Sequence, residues 1–149
     1  MPTPLPTHLH LPDEAATAAA ARRLAPVLGI GDVVALAGPL GAGKTSFARA
    51  LIQTRAGAAI EVPSPTFTVV QTYELQTGAI WHVDLYRLSG VGDIAELGLE
   101  EAFARAITLI EWPDRLGALL PHDALTLTFA ADGQGRRADI TMGSKQWTW

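Results

Sequence analysis

The sequence contains no cysteine, only two lysines and no long apolar run. Without cysteine, neither disulfides nor thiolate metal sites can form, and we expect a cytoplasmic location. No apolar run approaches the roughly 20 residues that a membrane helix needs, so no membrane span is predicted. Lys/Arg clusters are also missing and the formal net charge is −4. We therefore do not expect the protein to bind nucleic acid directly.

Apolar residues, in contrast, make up 48% of the 149 residues. That fraction and that length suit one compact domain with a buried core. We expect a single domain over residues 1–149, in which residues 1–7 and 144–149 are loose termini.

A phosphate-binding motif, GPLGAGKT, begins at Gly38. It fits the P-loop pattern G-x-x-x-x-G-K-[ST], and it follows an apolar strand and precedes a helix. One of only two lysines falls on the motif, which disfavours the alternative of a glycine-rich turn without a ligand. In such a loop the backbone N–H groups point inward, the lysine (Lys44) reaches the β- and γ-phosphates, and the hydroxyl of Thr45 binds Mg²⁺. The predicted nucleotide-binding residues here are Gly38, Leu40, Gly41, Ala42, Gly43, Lys44, Thr45 and Ser46.

Hydrophobic periodicity predicts an α/β protein. The predicted strands cover residues 7–11, 32–38, 66–75, 79–88, 106–111, 124–130 and 137–143. The predicted helices cover residues 12–29 and 44–55, two short segments between 93 and 106, and a segment that restarts at Pro113. This order predicts a P-loop NTPase-type sandwich, a mixed sheet with a parallel core and antiparallel additions.

Two of the apolar strands end in an acid, one at Asp84 and one at Glu111. Ligands collect at the carboxyl ends of parallel strands, so both acids could face the P-loop and serve Mg²⁺ or the attacking water. Asp84 is the better candidate for the Walker B aspartate, while an exposed strand-end acid is the alternative for each. His82 is interpreted as a packed or surface histidine rather than a ligand. Trp112 either packs under the following helix or covers the nucleotide site.

The remaining features narrow the class of P-loop protein. The guanine-binding motif N/T-K-x-D is absent, because the only lysine after the P-loop is Lys145. A small-molecule kinase is the second hypothesis, although no arginine-rich lid is evident, and a nucleotide sensor without hydrolysis is the third. The favoured hypothesis is a compact ATPase that serves a partner.

Four motifs, in order from about Leu11 to Gly143, closely resemble one known family. They are GPLGAGKTSFARAL, SPTFTVVQTYE, HVDLYRL and LIEWPDRLGALLP, and the family is that of the small bacterial ATPases of tRNA threonylcarbamoyladenosine biosynthesis, TsaE. The resemblance implies that Thr66 lies in a switch-like segment near the nucleotide and that Asp84 is the Walker B aspartate. It also implies that Glu111, followed by Trp112, is associated with Mg²⁺ and hydrolysis.

The resemblance further implies the cofactors and partners. ATP and Mg²⁺ would be bound, and the partners would be the two paralogous subunits that transfer threonylcarbamoyl to tRNA, so that tRNA is met only indirectly. The base of the nucleotide would lie toward the N-terminal segment and the late strands, where Glu14 and Arg136 are candidates. The expected catalytic residues are Lys44, Asp84, Glu111 and Thr66, and the expected metal ligands are Thr45, Asp84 and Glu111.

Overall fold

Seven strands form one mixed sheet in the computed structural model, which describes residues 2–88 and 90–149. The strands are β1 (His8–Leu11), β2 (Val33–Ala37), β3 (Val70–Leu75), β4 (Gly78–Asp84), β5 (Ile107–Glu111), β6 (Leu125–Asp132) and β7 (Gly135–Met142). Their order across the sheet is β1-β7-β6-β2-β5-β4-β3. Strands β4, β5, β2 and β6 run parallel, whereas β3, β7 and β1 are added antiparallel. The fold class predicted from the sequence is confirmed.

Helices cover both faces of this sheet. They are α1 (Glu14–Leu24), α2 (Lys44–Ala56), α3 (Val91–Ala95) and α4 (Leu99–Arg105). Residues from α1 and α2 share one buried cluster with one face of the sheet, and residues from α3 and α4 share a second cluster with the other. Among the described residues, no helix has the length and apolar character to cross a membrane.

The central strand β2 shows why its sequence is apolar without alternation. Val34 and Leu36 pack in the cluster on the α1/α2 side, while Val33 packs in the cluster on the α3/α4 side. A parallel strand covered on both faces requires apolar residues at successive positions. At the carboxyl end of this strand the chain turns directly into the P-loop.

Four predicted elements differ from the structure by four residues or more. The predicted strand 79–88 ends at Asp84 as β4, and the predicted helix 12–29 ends at Leu24 as α1 and is followed by a 3₁₀ turn at Ala25–Val27.

Strand β3 begins at Val70 rather than at residue 66, because the chain turns where the amide of Val69 donates to the carbonyl of Pro65. The predicted helix after Trp112 is replaced by two 3₁₀ turns, Pro113–Arg115 and Gly117–Leu119. Gly117 has a φ of +52°, a left-handed conformation that an α-helix cannot contain.

The termini also differ from expectation, because they pack against each other. Pro4 forms a β-bridge with Thr148, and the backbone of Thr3 exchanges two hydrogen bonds with that of Trp149. Leu5 and Trp147 are both buried in the α1/α2 cluster. The expectation of loose segments at 1–7 and 144–149 is wrong for residues 3–5 and 147–149, because apolar side chains in each cover the core; Met1 lies outside the described residues.

Candidate nucleotide-binding site

The P-loop connects β2 to α2 and depends on glycine at two close approaches. Gly38 has a φ of +129°, and a Cβ there would overlap the carbonyl oxygen of Phe129. Gly43, at the start of α2, has a φ of +105°, and a Cβ there would lie 2.9 Å from Nη1 of Arg136. Both positions have a positive φ that favours glycine. At Gly38 the backbone of Phe129 also leaves no room for a side chain, whereas at Gly43 the nearest atom is the movable end of the Arg136 side chain. The loop can therefore follow its tight path only with glycine at these points.

The two strand-end acids lie side by side. In the register of the parallel strands β4 and β5, Asp84 is level with Glu111, and Glu111 is in turn level with Leu36 of β2. Only 4% of Asp84 and 2% of Glu111 is exposed. The sequence therefore predicted correctly that both acids meet at the carboxyl edge of the sheet, and neither is an exposed strand-end residue.

Glu111 contacts the first turn of α2 directly. The hydroxyl of Thr45 lies 2.9 Å from Oε1 and 3.1 Å from Oε2 of Glu111. The ammonium of the adjacent Lys44 donates to the carbonyl oxygen of Gly38, across the P-loop. Burial lowers the pKa of Lys44 below its ordinary value, and the carboxylates of Glu111, Asp84 and Asp114 oppose that shift.

Thr66 lies beside Asp84, the other strand-end acid. Its hydroxyl is 3.3 Å from Oδ2 of Asp84 and 2.8 Å from the hydroxyl of Ser64. The other carboxylate oxygen of Asp84 accepts from the amide of Tyr86 at 2.9 Å. The hydrogen bond from Thr66 to Asp84 thus joins the Ser-Pro-Thr segment to the end of β4.

Trp112 lies over the P-loop lysine. The Nζ of Lys44 is 3.6 Å from the centroid of the indole, a cation–π geometry. The ring of Tyr86 packs on the same indole with centroids 4.9 Å apart. Trp112 itself has a φ of +61°, uncommon for a residue other than glycine. The indole therefore lies over the P-loop lysine, and it also packs against the α3/α4 cluster, so both alternatives left open by the sequence have support.

Glu14 and Arg136 form an ion pair beside the P-loop. Nη1 of Arg136 lies 3.1 Å from Oε1 of Glu14, and both residues line a second cavity of about 210 Å³. Arg136 also lines the first cavity, which contains the P-loop. These two candidates for contact with the base are therefore close to each other and to the phosphate loop, although they come from opposite ends of the chain.

The P-loop cavity brings most of the predicted residues together. Its volume is about 240 Å³, and it is lined by Leu40, Gly41, Gly43, Lys44, Thr45, Ser46, Thr66, Asp84, Glu111, Trp112 and Arg136. Gly38 and the buried Ala42 support the loop from outside this lining, and Glu14 lies in the neighbouring cavity. One lysine and two buried carboxylates thus face one small space.

The donor set at this cavity fits Mg²⁺ held jointly with phosphates. Thr45, Asp84 and Glu111 offer hard oxygen ligands, and within residues 2–88 and 90–149 no Lys or Arg lies within salt-bridge distance of either acid. No group of three or more His, Cys, Asp or Glu in that part of the chain could hold a metal ion alone. Mg²⁺ is usually bound through one or two carboxylates together with substrate phosphates, which matches this partial set.

Sequence reasoning did not assign a role to His82. Of the two interpretations, packed or surface histidine, the structure shows the first: the side chain is fully buried. Its Nε2 lies 2.7 Å from Oε2 of Glu111. The signal was the spacing H-x-D: residues two apart on a strand share one face, so His82 and Asp84 point to the same side of β4. Glu111 lies on the neighbouring strand, level with Asp84.

A strand, a glycine-rich phosphate loop and a helix at the carboxyl edge of a parallel sheet define a P-loop-type protein. The family model described as "Threonylcarbamoyl adenosine biosynthesis protein TsaE" matches residues 11–138. The chain belongs to the TsaE family.

Individual relatives agree with this assignment. The chain is 43% identical over 122 residues to a tRNA threonylcarbamoyladenosine biosynthesis protein TsaE of Rickettsia bellii, covering 81% of this chain and 85% of that protein. A TsaE protein of Bacillus subtilis is 34% identical over 108 residues, covering 72% and 66% of the two chains. The crystal structure of YdiB from Bacillus subtilis superposes with a TM-score of 0.75 at 27% identity, covering 97% of this chain and 88% of that one.

Proposed function

We propose that the protein binds ATP with Mg²⁺ and hydrolyses it in support of tRNA threonylcarbamoylation. The main support is that one cavity beside the P-loop is lined by Lys44, Thr45, Asp84 and Glu111. Such a cavity supplies a cation for the phosphates and two carboxylates for metal or water, which are the groups that phosphoryl transfer to water requires. Membership of the TsaE family supports the choice of pathway.

The residues divide the work by their chemistry. Backbone N–H groups of the loop and the ammonium of Lys44 would hold the phosphates, and Lys44 would leave the carbonyl of Gly38 to do so. Thr45, Asp84 and Glu111 would hold Mg²⁺, which when bound supplies positive charge against the phosphate oxygens. Glu111 would also orient or deprotonate the attacking water.

The partner assignment follows from what the chain offers. With a net charge of −4 and no Lys/Arg cluster, the protein has a poor surface for tRNA itself. We infer that it acts in the cytoplasm on the two paralogous transferase subunits of the pathway. The tRNA would then be bound by those subunits and contacted by this protein only indirectly. Hydrolysis would then serve the conformational cycle of those subunits.

The test is phosphate release from ATP and from GTP, measured for the protein alone and with the two transferase subunits of the same genome. We expect release from ATP without any added acceptor, an increase when the subunits are present, and weaker use of GTP. Release that needs a small-molecule acceptor would instead support a P-loop kinase. Lys44→Ala is the control, since it removes the phosphate-binding cation. No release under any of these conditions would contradict the proposal.

A further inference from the structure

His82 occupies an unusual position for an ionisable side chain. It is fully buried on β4, and its Nε2 lies 2.7 Å from Oε2 of the equally buried Glu111. A carboxylate only accepts hydrogen bonds, so Nε2 must carry the hydrogen and donate it. A contact at this distance is a charge-assisted hydrogen bond, stronger than one between neutral groups.

Packing alone does not explain a histidine here. In the described part of the chain, Nδ1 of His82 has no hydrogen-bond partner although it is buried. A buried polar atom without a partner is destabilising, whereas an aliphatic side chain of similar volume would carry no such cost. The flanking core residues of the strand, Ile80 and Val83, are aliphatic. The imidazole is therefore best accounted for by the one polar contact that it makes.

That contact differs in kind from the other contact of Glu111. The Thr45 hydroxyl lies close to both carboxylate oxygens, but it carries a single hydrogen and can turn away toward a ligand in the P-loop cavity. His82 is enclosed in the core and donates to Oε2. When Thr45 turns to the ligand, the hydrogen bond from His82 remains and keeps the carboxylate facing the cavity.

We propose that His82 is a positioning residue for Glu111: it holds the carboxylate in the orientation needed toward Mg²⁺ and the attacking water. The inference rests on the proposed function. Partners of this kind commonly contribute about tenfold to a hundredfold to metal affinity or activity. His82 contacts neither phosphate nor water in this role and acts only through Glu111.

The experiment compares His82→Leu, which removes the donor, with His82→Gln, whose side-chain amide can place an N–H near the position of Nε2. His122→Leu, at an exposed histidine, is the matched control. For each variant, thermal unfolding confirms the fold, calorimetry measures ADP affinity with and without Mg²⁺, and phosphate release with the transferase subunits gives kcat and KM for ATP. We expect kcat of His82→Leu to fall about tenfold to a hundredfold with little change in KM. The gain in ADP affinity that Mg²⁺ gives should decrease in the same variant. His82→Gln should restore most of kcat and most of that gain.

Two further measurements separate positioning from structure. In the Glu111→Ala background, His82→Leu should lower kcat by less than about a further threefold, because the effects of two residues that act through one contact are not additive. Nitrogen-15 spectra of the histidines should show the ring of His82 with its hydrogen on Nε2. Wild-type kcat and Mg²⁺-dependent affinity in a folded His82→Leu variant, or a hydrogen found on Nδ1 alone, would overturn the inference. If the wild-type protein releases no phosphate, the proposed function is wrong, and the Mg²⁺-dependent ADP affinity alone then decides the role of His82.

Discussion

The hydroxyl of Thr45 lies 2.9 Å from Oε1 of Glu111, although 66 positions separate the two residues in the chain. Thr45 is in the first turn of α2, and Glu111 is the last residue of β5. Their contact joins the phosphate loop to the acidic edge of the sheet. A ligand that needs both groups, such as Mg²⁺ with a triphosphate, would meet them already adjacent.

The first prediction concerns Thr45. Thr45→Val keeps the shape of the side chain but removes the hydroxyl, so the gain in ADP affinity from Mg²⁺ should fall by about tenfold or more, since hydrogen bonds to charged groups contribute about 1.5–3 kcal/mol and a metal contact should be at least comparable. Calorimetry with and without Mg²⁺ measures this gain. Thr45→Ser keeps the hydroxyl and is the control. An unchanged Mg²⁺ effect in Thr45→Val would exclude Thr45 as a ligand.

The second prediction concerns Thr66, whose hydroxyl lies 3.3 Å from Asp84. Thr66→Ala should reduce turnover about tenfold or more while ADP affinity changes little, because Thr66 contacts the acid rather than the P-loop. Phosphate release and ADP titration on the same samples test this split, with Thr66→Ser as the variant that keeps the contact. If ADP affinity falls as far as turnover, Thr66 contacts the bound nucleotide directly and the switch interpretation is wrong.

The third prediction concerns the P-loop backbone. Gly38→Ala and Gly41→Ala both place a side chain at positive φ, which costs roughly 1–2 kcal/mol. Only at Gly38 would the new Cβ also overlap the backbone of Phe129, which should add about 1–3 kcal/mol. Chemical denaturation of the two variants measures the difference in free energy of unfolding. Equal destabilisation of the two variants would show that the P-loop can move away from Phe129 without a cost in free energy.

Much of the site could be predicted from the sequence because its signals are local. The P-loop pattern identifies Lys44 and Thr45, and apolar strands that end in an acid identify Asp84 and Glu111. His82 could not be assigned, because its partner lies on another strand and only the register of β4 with β5 brings them together. Residues 66–69 were mistaken for strand because β-branched and aromatic residues favour strands, whereas a backbone hydrogen bond from Val69 to Pro65 closes a turn there.

The fourth prediction concerns the C-terminal tail, which we expected from the sequence to be loose. Trp147 is 3% exposed and packs in the α1/α2 cluster. Trp147→Ala should therefore lower the free energy of unfolding by about 3–5 kcal/mol. Trp149 is partly exposed and stacks with Arg23 at 4.4 Å, so Trp149→Ala should cost roughly 1 kcal/mol. Denaturant titration compares the free energies of unfolding of the two variants. An unchanged free energy in Trp147→Ala would show that the tail does not stabilise the core, in agreement with the loose terminus expected from the sequence.

The most direct test of the whole account is phosphate release with the transferase subunits, measured beside equilibrium ATP binding, for wild type, Lys44→Ala and Glu111→Gln. In the proposed function Lys44 would hold phosphate both before and during the reaction, so Lys44→Ala should lose binding and turnover together. Glu111→Gln should bind ATP within about tenfold of wild type while turnover falls about a hundredfold or more. Wild-type turnover in Glu111→Gln would contradict the account, because the buried acid at the end of β5 would then have no part in hydrolysis.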